Sequence, residues 1–467
     1  MAFPQEFINM LSGILPEGER AALVSALQTE PQVSIRTNPR VPGAVDMALE
    51  SLECKSDGNV PWASNAVYLD HRPQFTMDPL LHCGTYYVQE ASSMFLERAV
   101  RKCVNGPVRA LDLCAAPGGK TTLLASVLPE GSLLASNEIQ RSRAQILAEN
   151  MTKWGSPNVV VTCNTPAQIG ASSMVFDLIA VDAPCSGEGM FRKDAQAVSD
   201  WSTENVQMCA ARQRQILEEI WPALAPGGFL IYSTCTFNRH EDEDNVVWMT
   251  ERFGAEPVAV ETLPDWNICG SLTEADIPVY HFMQHRTRGE GFFLALLRKP
   301  GDCLPQRSRA FKPNVQFGQD WLEGAYTCYQ KGDMIHALPE SLAWDMVTAD
   351  RELYTLVCGI GLARLKGRDW IPAHGLAMSV ILPHVMRQFG PAVYKRLADL
   401  ADVCGMEGKD DQEKALKFID WIDDMKKQMD LPAGLDMIKD EDIPQIIQWA
   451  DAEANPLYPV SLCHSCF

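Results

Sequence analysis

The sequence contains no run of about 18 consecutive apolar residues, the length a membrane-spanning helix needs, so none is expected. Residues 1–10 carry neither a basic stretch nor a long apolar core, and no secretory signal is expected either. No internal repeat and no low-complexity tract is present in the sequence. Positive charge is scarce: 40 Lys and Arg stand against 60 Asp and Glu, a formal net charge of −20. A uniformly acidic surface repels phosphates, so an RNA or DNA role requires a local basic face. Cysteine is plentiful, at 15 residues, but no short segment is dense in it. Without an export signal these read as reduced thiols of a cytoplasmic protein, not as a disulfide framework.

What remains is a globular composition, 46% hydrophobic and 21% charged. At 467 residues, two or three domains are expected. Four textures divide the chain. Residues 1–105 are mixed, with an extended piece from Val33 to Pro39 and a helical pattern from Gln89 to Leu96. Residues 106–300 alternate short apolar runs with helical stretches such as Gln140–Lys153 and Asn205–Leu224. The runs Arg109–Leu113, Leu133–Asn137, Val159–Thr162, Phe176–Asp182, Gly228–Ser233 and Phe292–Leu297 predict strands of a mainly parallel α/β sheet, the last of them at an edge. Residues 301–372 are less regular. Residues 373–467 are helical and acidic, with an amphipathic pattern over Lys409–Gln428 that Leu431–Leu435 interrupts.

The first predicted strand runs into Cys114-Ala115-Ala116-Pro117-Gly118-Gly119-Lys120-Thr121. Small residues in such a turn let a ligand reach backbone N–H groups at a helix N-terminus. A phosphate loop requires glycine where this chain has Cys114, and the dinucleotide pattern G-x-G-x-x-G is also missing. The second strand ends at Glu138, where a carboxylate commonly takes ribose hydroxyls. A nucleoside cofactor without a pyrophosphate cradle points to S-adenosylmethionine in preference to NAD.

Two cysteines follow strand ends: Cys185 in Asp182-Ala183-Pro184-Cys185-Ser186-Gly187-Glu188, and Cys235 in Ser233-Thr234-Cys235-Thr236-Phe237. Ligands of open α/β sheets bind beyond such ends. A lone cysteine is usually a small buried hydrophobe. Two beside a cofactor turn and Asp182 suit a nucleophile and a proton-handling partner. A zinc site would need further Cys or His ligands at typical spacing, and none lie nearby in sequence. Lys120 or Lys193 would favour the thiolate electrostatically.

Together, Cys114–Lys120, Asp182–Gly189 and Ser233–Phe237 resemble the Nol/Nop/Sun RNA cytosine-5 methyltransferases, as do Arg36-Thr37-Asn38 and Gly289–Phe293. Tyr86–Met94 and Glu188–Asp194 look most like the bacterial small-subunit ribosomal RNA methyltransferase F group. The resemblance covers roughly residues 1–372. It implies a Rossmann-like class I methyltransferase sheet over 106–300 and a small N-terminal α+β RNA-binding domain over 1–105. A partial RNA-binding-type domain over 301–372 and a helical C-terminal appendage over 373–467 complete the expected architecture. It further implies that Cys114, Ala115, Ala116, Pro117, Gly118, Gly119 and Lys120 cradle S-adenosylmethionine and that Glu138 binds its ribose. Asp182 would lie between cofactor and base, Cys235 would be the covalent nucleophile, and Cys185 would release the product. Where the family commonly has an acidic residue near adenine, this chain has Asn164, whose amide can still donate and accept. No metal is implied. The expected partner is small-subunit ribosomal RNA, and the expected state a monomer in the cytoplasm.

Between Tyr280 and Lys312, residues Arg286, Arg288, Arg298, Lys299, Arg307, Arg309 and Lys312 outnumber Glu290 and Asp302. This is the candidate basic face, with Arg36, Arg40 and Arg72 extending it. From His374 the chain resembles the helical C-terminal part of iron-dependent alcohol dehydrogenases over about 90 residues. His374 would be a metal ligand there, but its companion ligands have no upstream match. The tail reads as a fusion, and Cys463-His464-Ser465-Cys466 is too short and isolated for a metal site. A non-catalytic RNA- or ribosome-binding protein on the same fold, and an iron-dependent oxidoreductase, are the competing readings. Possession of both Cys185 and Cys235 favours the enzyme.

Overall fold

The computed structural model describes residues 3–302, 309–315, 322, 324–366, 369–372, 386–387 and 390–428. Two compact units are present: residues 1–330 with 336–360, and residues 331–335 with 361–467. The first unit runs across the positions 105 and 300 at which the sequence texture changes.

The N-terminal sheet is formed by β1 (Val33–Thr37), β2 (Ser56–Asn59), β3 (Ala66–Leu69) and β4 (Tyr86–Val88), in the order β2-β3-β1-β4. Its pairings are antiparallel. Helices Gln5–Ser12, Glu17–Ala26 and Ala44–Ser51 belong to this region. The pattern from Gln89 to Leu96 becomes a short 3₁₀ turn, Ser92–Phe95, before the helix Leu96–Cys103.

The central sheet carries β5 (Arg109–Asp112), β6 (Leu133–Asn137), β7 (Val159–Thr162), β8 (Phe176–Asp182) and β9 (Leu224–Thr234), followed by β10 (Glu256–Pro257), β11 (Val279–Phe282) and β12 (Phe292–Arg298). The next strands are β13 (Tyr326–Lys331), β14 (Met334–Pro339) and β15 (Thr355–Cys358), of which β15 joins the central sheet. The order is β10-β12-β9-β8-β5-β6-β7-β15. The five strands from β7 to β9 are mutually parallel. β12 and β15 close the two sides in antiparallel sense. β6 and β7 are buried at every position, as the middle of a sheet covered on both faces requires. The expectation of β12 at an edge is corrected: it is interior, paired with β9 on one side and with β10 and β11 on the other.

Strand order reverses between β5, whose chain continues to β6, and β8, whose chain continues to β9. That switch point opens a crevice at the carboxyl ends of the strands. Helix Arg141–Trp154 ends at Gly155, in the left-handed region at φ +74°, where a Cβ would be strained. Helix Thr203–Ile220 starts where the Ser202 hydroxyl accepts the Asn205 N–H at 3.1 Å.

The second unit contains β16 (Ile360–Lys366) paired antiparallel with β17 (Asp369–Pro372), and helices Pro391–Val403 and Asp411–Gln428. Leu397, Ala401, Ala415, Phe418 and Ile419 form the seam between these helices. Ile422 packs against it, while Trp421 is 41% exposed. His374, Leu431–Leu435 and Cys463–Cys466 lie outside the described residues. Among the described residues no helix is long and apolar enough to cross a membrane.

Candidate functional site

The turn after β5 is built by backbone hydrogen bonds and two glycines. The Ala115 N–H donates to Asn137 O at 2.8 Å. Arg143 and Asn150, both on helix Arg141–Trp154, donate to Ala116 O and Pro117 O, each at 2.8 Å. Gly118 sits at φ +118°, and a Cβ on Gly119 would stand 3.3 Å from the Tyr87 ring. The turn thus presents bare backbone at the start of helix Gly119–Val127. Beneath it Asp112 is fully buried. Its Oδ2 accepts from Thr121 at 2.7 Å, while its Oδ1 has no partner. Burial, with the charges of Asp182 and Glu138, pushes its carboxyl up to about 7.

Glu138, at the end of β6, is buried; it accepts the Gln140 N–H at 3.0 Å and lies 3.4 Å from Arg143. Asn164 stands after β7 with its amide turned to the chain entering β15. Its Nδ2 donates to Tyr354 O, and the Tyr354 N–H donates to its Oδ1, both at 3.1 Å. Cys114 is partly buried; burial first, then Asp182, pushes its thiol far above the ordinary range.

Across the switch point, Asp182 ends β8. Its Oδ1 accepts from the Ser233 hydroxyl at 2.8 Å, and its Oδ2 accepts from Lys120 Nζ at 2.8 Å. Burial works against the Lys120 ammonium, but Asp182 more than offsets it and the group is held above its ordinary value. Lys120 also lies over the Phe292 ring, 5.2 Å from its centroid. Lys193 is 3.2 Å from Glu290, which also takes Arg192 at 3.0 Å.

Cys185 and Cys235, fifty residues apart, meet at 3.1 Å between sulfur atoms. The Cys235 N–H also points at the Cys185 sulfur, at 3.4 Å. Contact with Cys235, then burial and the charge of Glu241, drives the Cys185 thiol well above its ordinary range. The thiolate form of Cys185 is thereby disfavoured. Gly189 and Gly291 make the loop approach possible: a Cβ on Gly189 would fall 2.5 Å from Gly291 O.

The expected basic face takes a different form. Arg286 pairs with Glu19, Arg288 with Asp57, and Arg298 with Glu256. Lys299 donates to the carbonyls of Trp221 and Leu224. Arg309 lies over Trp344, Lys312 is exposed, and Arg307 is outside the described residues. Arg36 is only 2% exposed. It donates to Gln89 at 3.0 Å, to Gly119 O at 3.2 Å and to Thr122 Oγ1 at 2.5 Å, and covers the Trp154 ring. It braces the first turn from β1 and is not a phosphate ligand. Arg40 donates to Gly155 O, and Arg72 covers Phe75.

Composition alone also hides the run Glu241-Asp242-Glu243, which looks like a solvated acidic loop. All three side chains are buried, at 0%, 0% and 1% exposure. Only their partners, Ser186 and Gln213 for Glu241 and His281 for Glu243, reveal them as interior. Among the described residues the cluster able to hold a metal is Cys54, Asp70 and His71, which includes neither Cys185 nor Cys235.

Three segments of the chain match known families. Residues 104–298 match the family described as 16S rRNA methyltransferase RsmB/F. Residues 3–91 match the N-terminal domain of 16S rRNA methyltransferase RsmF. Residues 369–459 match the C-terminal part of the Fe-containing alcohol dehydrogenase family. The chain is 36% identical over 320 residues to ribosomal RNA small subunit methyltransferase F of Enterobacter sp. (strain 638), covering 66% of each protein. It is 34% identical over 325 residues to the protein of that name from Cronobacter sakazakii, covering 67% of this chain and 66% of the relative. The chain thus spans 66% of the length of these relatives. Among solved structures, a methyltransferase homologue from Pyrococcus horikoshii superposes with a TM-score of 0.55 at 25% identity, over 64% of this chain and 96% of its own. NSun6 from Pyrococcus horikoshii, solved with SFG, has the same fold, with a TM-score of 0.56 at 20% identity over 64% of this chain and 99% of its own.

Proposed function

We propose that the chain is an S-adenosylmethionine-dependent RNA methyltransferase that modifies carbon 5 of a cytosine in small-subunit ribosomal RNA. The observation that carries this reading is the meeting of Cys185 and Cys235 at 3.1 Å, beside the Lys120–Asp182 pair and the glycine turn. Similarity over residues 3–298 supports the methyl transfer and the ribosomal substrate. The thiol pair supports cytosine-5 chemistry.

The crevice suits the cofactor. Bare backbone at Gly118 and Gly119 admits a close ligand. Glu138 supplies acceptors for ribose hydroxyls, and Asn164 stands at the next strand end. S-adenosylmethionine supplies the methyl group as a sulfonium. Residues Cys114 to Lys120 would hold its methionine and ribose end, and Asp182, fixed by Lys120 and Ser233, would lie between it and the base.

Carbon 5 of cytosine is a poor nucleophile. The Cys235 thiolate adds to carbon 6, and the resulting enamine makes carbon 5 nucleophilic. After methyl transfer the proton on carbon 5 must leave so that the carbon–sulfur bond can break. Cys185, one thiol contact away, is placed to take part in that release. The target base must be unstacked to reach the crevice.

We further propose a division into N-terminal RNA-contacting residues 1–105, a catalytic domain over 106–300, a partial RNA-binding domain over 301–372 and a tail from 373 without oxidoreductase activity. The working state is a cytoplasmic monomer. Bisulfite sequencing of ribosomal RNA from cells with and without the gene tests the activity. One small-subunit cytosine should lose its protection when the gene is removed; an unchanged pattern refutes the reading.

A further inference from the structure

Behind the two thiols lies a buried acid pair that the proposed mechanism does not use. Glu188 and Glu241 are each 0% exposed. Among the described residues neither forms an ion pair with a lysine or arginine. Besides each other, the titratable groups that feel their charge are Cys185, Cys209, Tyr232 and Asp242; Cys235 acts in turn on Cys185 and Cys209, Glu243 on Asp242, and Arg212 on Cys209. Two bare carboxylates in such a place would repel each other with no cation to compensate.

The hydrogen bonds show how the conflict is resolved. Glu188 Oε2 accepts the Phe237 N–H at 2.7 Å; Oε1 accepts Trp201 Nε1–H at 3.0 Å and Asn238 Nδ2–H at 2.8 Å. Glu241 accepts Asn238 Nδ2–H at 2.8 Å, Gln213 Nε2–H at 2.6 Å, the Ser186 N–H at 3.1 Å, and the Ser186 hydroxyl. Asn238 thus gives one hydrogen to each acid. The Ser186 hydroxyl has a single hydrogen, and its short contact is with Glu241. Two contacts are left without a hydrogen of their own, the longer Asn238 Nδ2 to Ser186 Oγ at 3.4 Å and the closer Ser186 Oγ to Glu188 Oε1 at 3.3 Å; the second joins two oxygens and needs one. A proton on Glu188 fills it.

We propose that Glu188 and Glu241 share a single proton through Ser186 and, as positioning residues, lock the loop bearing Cys185 to the strand end bearing Cys235. Ser186 follows Cys185 directly, and Phe237 and Asn238 follow Cys235, so each acid holds both sides. The Gly189 N–H, donating to Cys235 O at 2.8 Å, adds a backbone tie. Burial, then the charge of Glu241, pushes the Glu188 carboxyl up to about 7, in the sense a retained proton requires.

The consequence for catalysis rests on the methyltransferase reading, but the lock can be read without RNA or cofactor. In the full chain, diamide should join Cys185 to Cys235, measured by peptide mapping. Disulfide geometry is exacting, so Glu188→Ala and Ser186→Ala should each slow this about tenfold or more, while Glu188→Gln recovers most of the rate. The infrared difference between the parent and Glu188→Gln at neutral pH should show a protonated carboxyl band. If Glu188→Ala does not fold, Ser186→Ala carries the test. A parent whose thiols do not join, folded alanine variants that join at the parent rate, or a missing carboxyl band overturns the proposal. Cross-linking as expected from a parent that transfers no methyl group upholds the lock and sinks the methyltransferase reading instead.

Discussion

Lys120 Nζ and Asp182 Oδ2 meet at 2.8 Å across the switch point of the sheet, joining the helix after β5 to the end of β8. Both side chains are largely enclosed, at 17% and 35% exposure. A charge-assisted hydrogen bond in such a place contributes about 1.5–3 kcal/mol. Lys120→Ala should therefore lower kcat/KM for methyl transfer by about 10–100-fold. Unchanged turnover would show that Asp182 is positioned without it.

The two thiols should fail differently. Cys235→Ala should abolish both methyl transfer and trapping on 5-azacytosine RNA. Cys185→Ala should let the adduct form and stall its release, leaving a denaturant-resistant protein–RNA species on a gel. Exchange of the two behaviours would reverse the assigned roles.

Glu138 is expected to meet the cofactor ribose. Calorimetric titration with S-adenosylhomocysteine should show binding weakened by about 1–3 kcal/mol in Glu138→Ala, the cost of polar partners left unmade. Tight ATP or NAD binding by the unaltered chain would refute the cofactor assignment.

Asp112 makes stability depend on pH. Its carboxyl rises from an ordinary 3.8 to about 7 on folding, chiefly through burial. Between those values the unfolded chain has released the proton and the folded chain retains it, so stability falls as pH rises. The full span corresponds to about 4 kcal/mol. Asp112→Asn should melt higher than the parent at pH 8, and the gap should narrow as pH is lowered towards 4. Parallel melting curves across that range would exclude Asp112 as the source.

The tail should add no affinity for RNA. Between residues 380 and 467 there are 16 Asp or Glu against 9 Lys or Arg, a balance that repels phosphates most at low salt. A chain ending at residue 372 should bind RNA as well as the full chain across a salt series. Metal analysis of the full chain should find no stoichiometric iron. One iron per chain, or a large loss of RNA affinity on truncation, would give the tail a role.

The central strands were legible because a parallel sheet covered on both faces needs continuous apolar runs. β6, β7 and β8 have the limits read from sequence, residue for residue. β9 begins four residues earlier than Gly228, at Leu224, because the chain pairs with β8 through an irregular register. β12 was recognised as a strand but misplaced at an edge, since strand order depends on pairings dozens of residues apart that local pattern does not carry. β15, on the far side of β7, escaped the reading for the same reason. At the site, the small-residue turn and the two strand-end cysteines were visible. The burial of Glu188 and Glu241 was not, because an acidic side chain with several distant donors looks in sequence like any solvated one.

Arg36 has an implication for how such proteins can change. Its guanidinium, drawn down to about 9 by burial, has no carboxylate partner at hydrogen-bond distance among the described residues and relies on oxygens of Gln89, Gly119, Thr122 and Ser126. Transplanting the N-terminal sheet alone would remove three of these four, and transplanting the central sheet alone would leave the turn beneath the cofactor without its brace. Stranding a desolvated cation costs several kcal/mol. An exchange of segments at a boundary near residue 105 is therefore tolerated only where the incoming segment again offers Arg36 its acceptors.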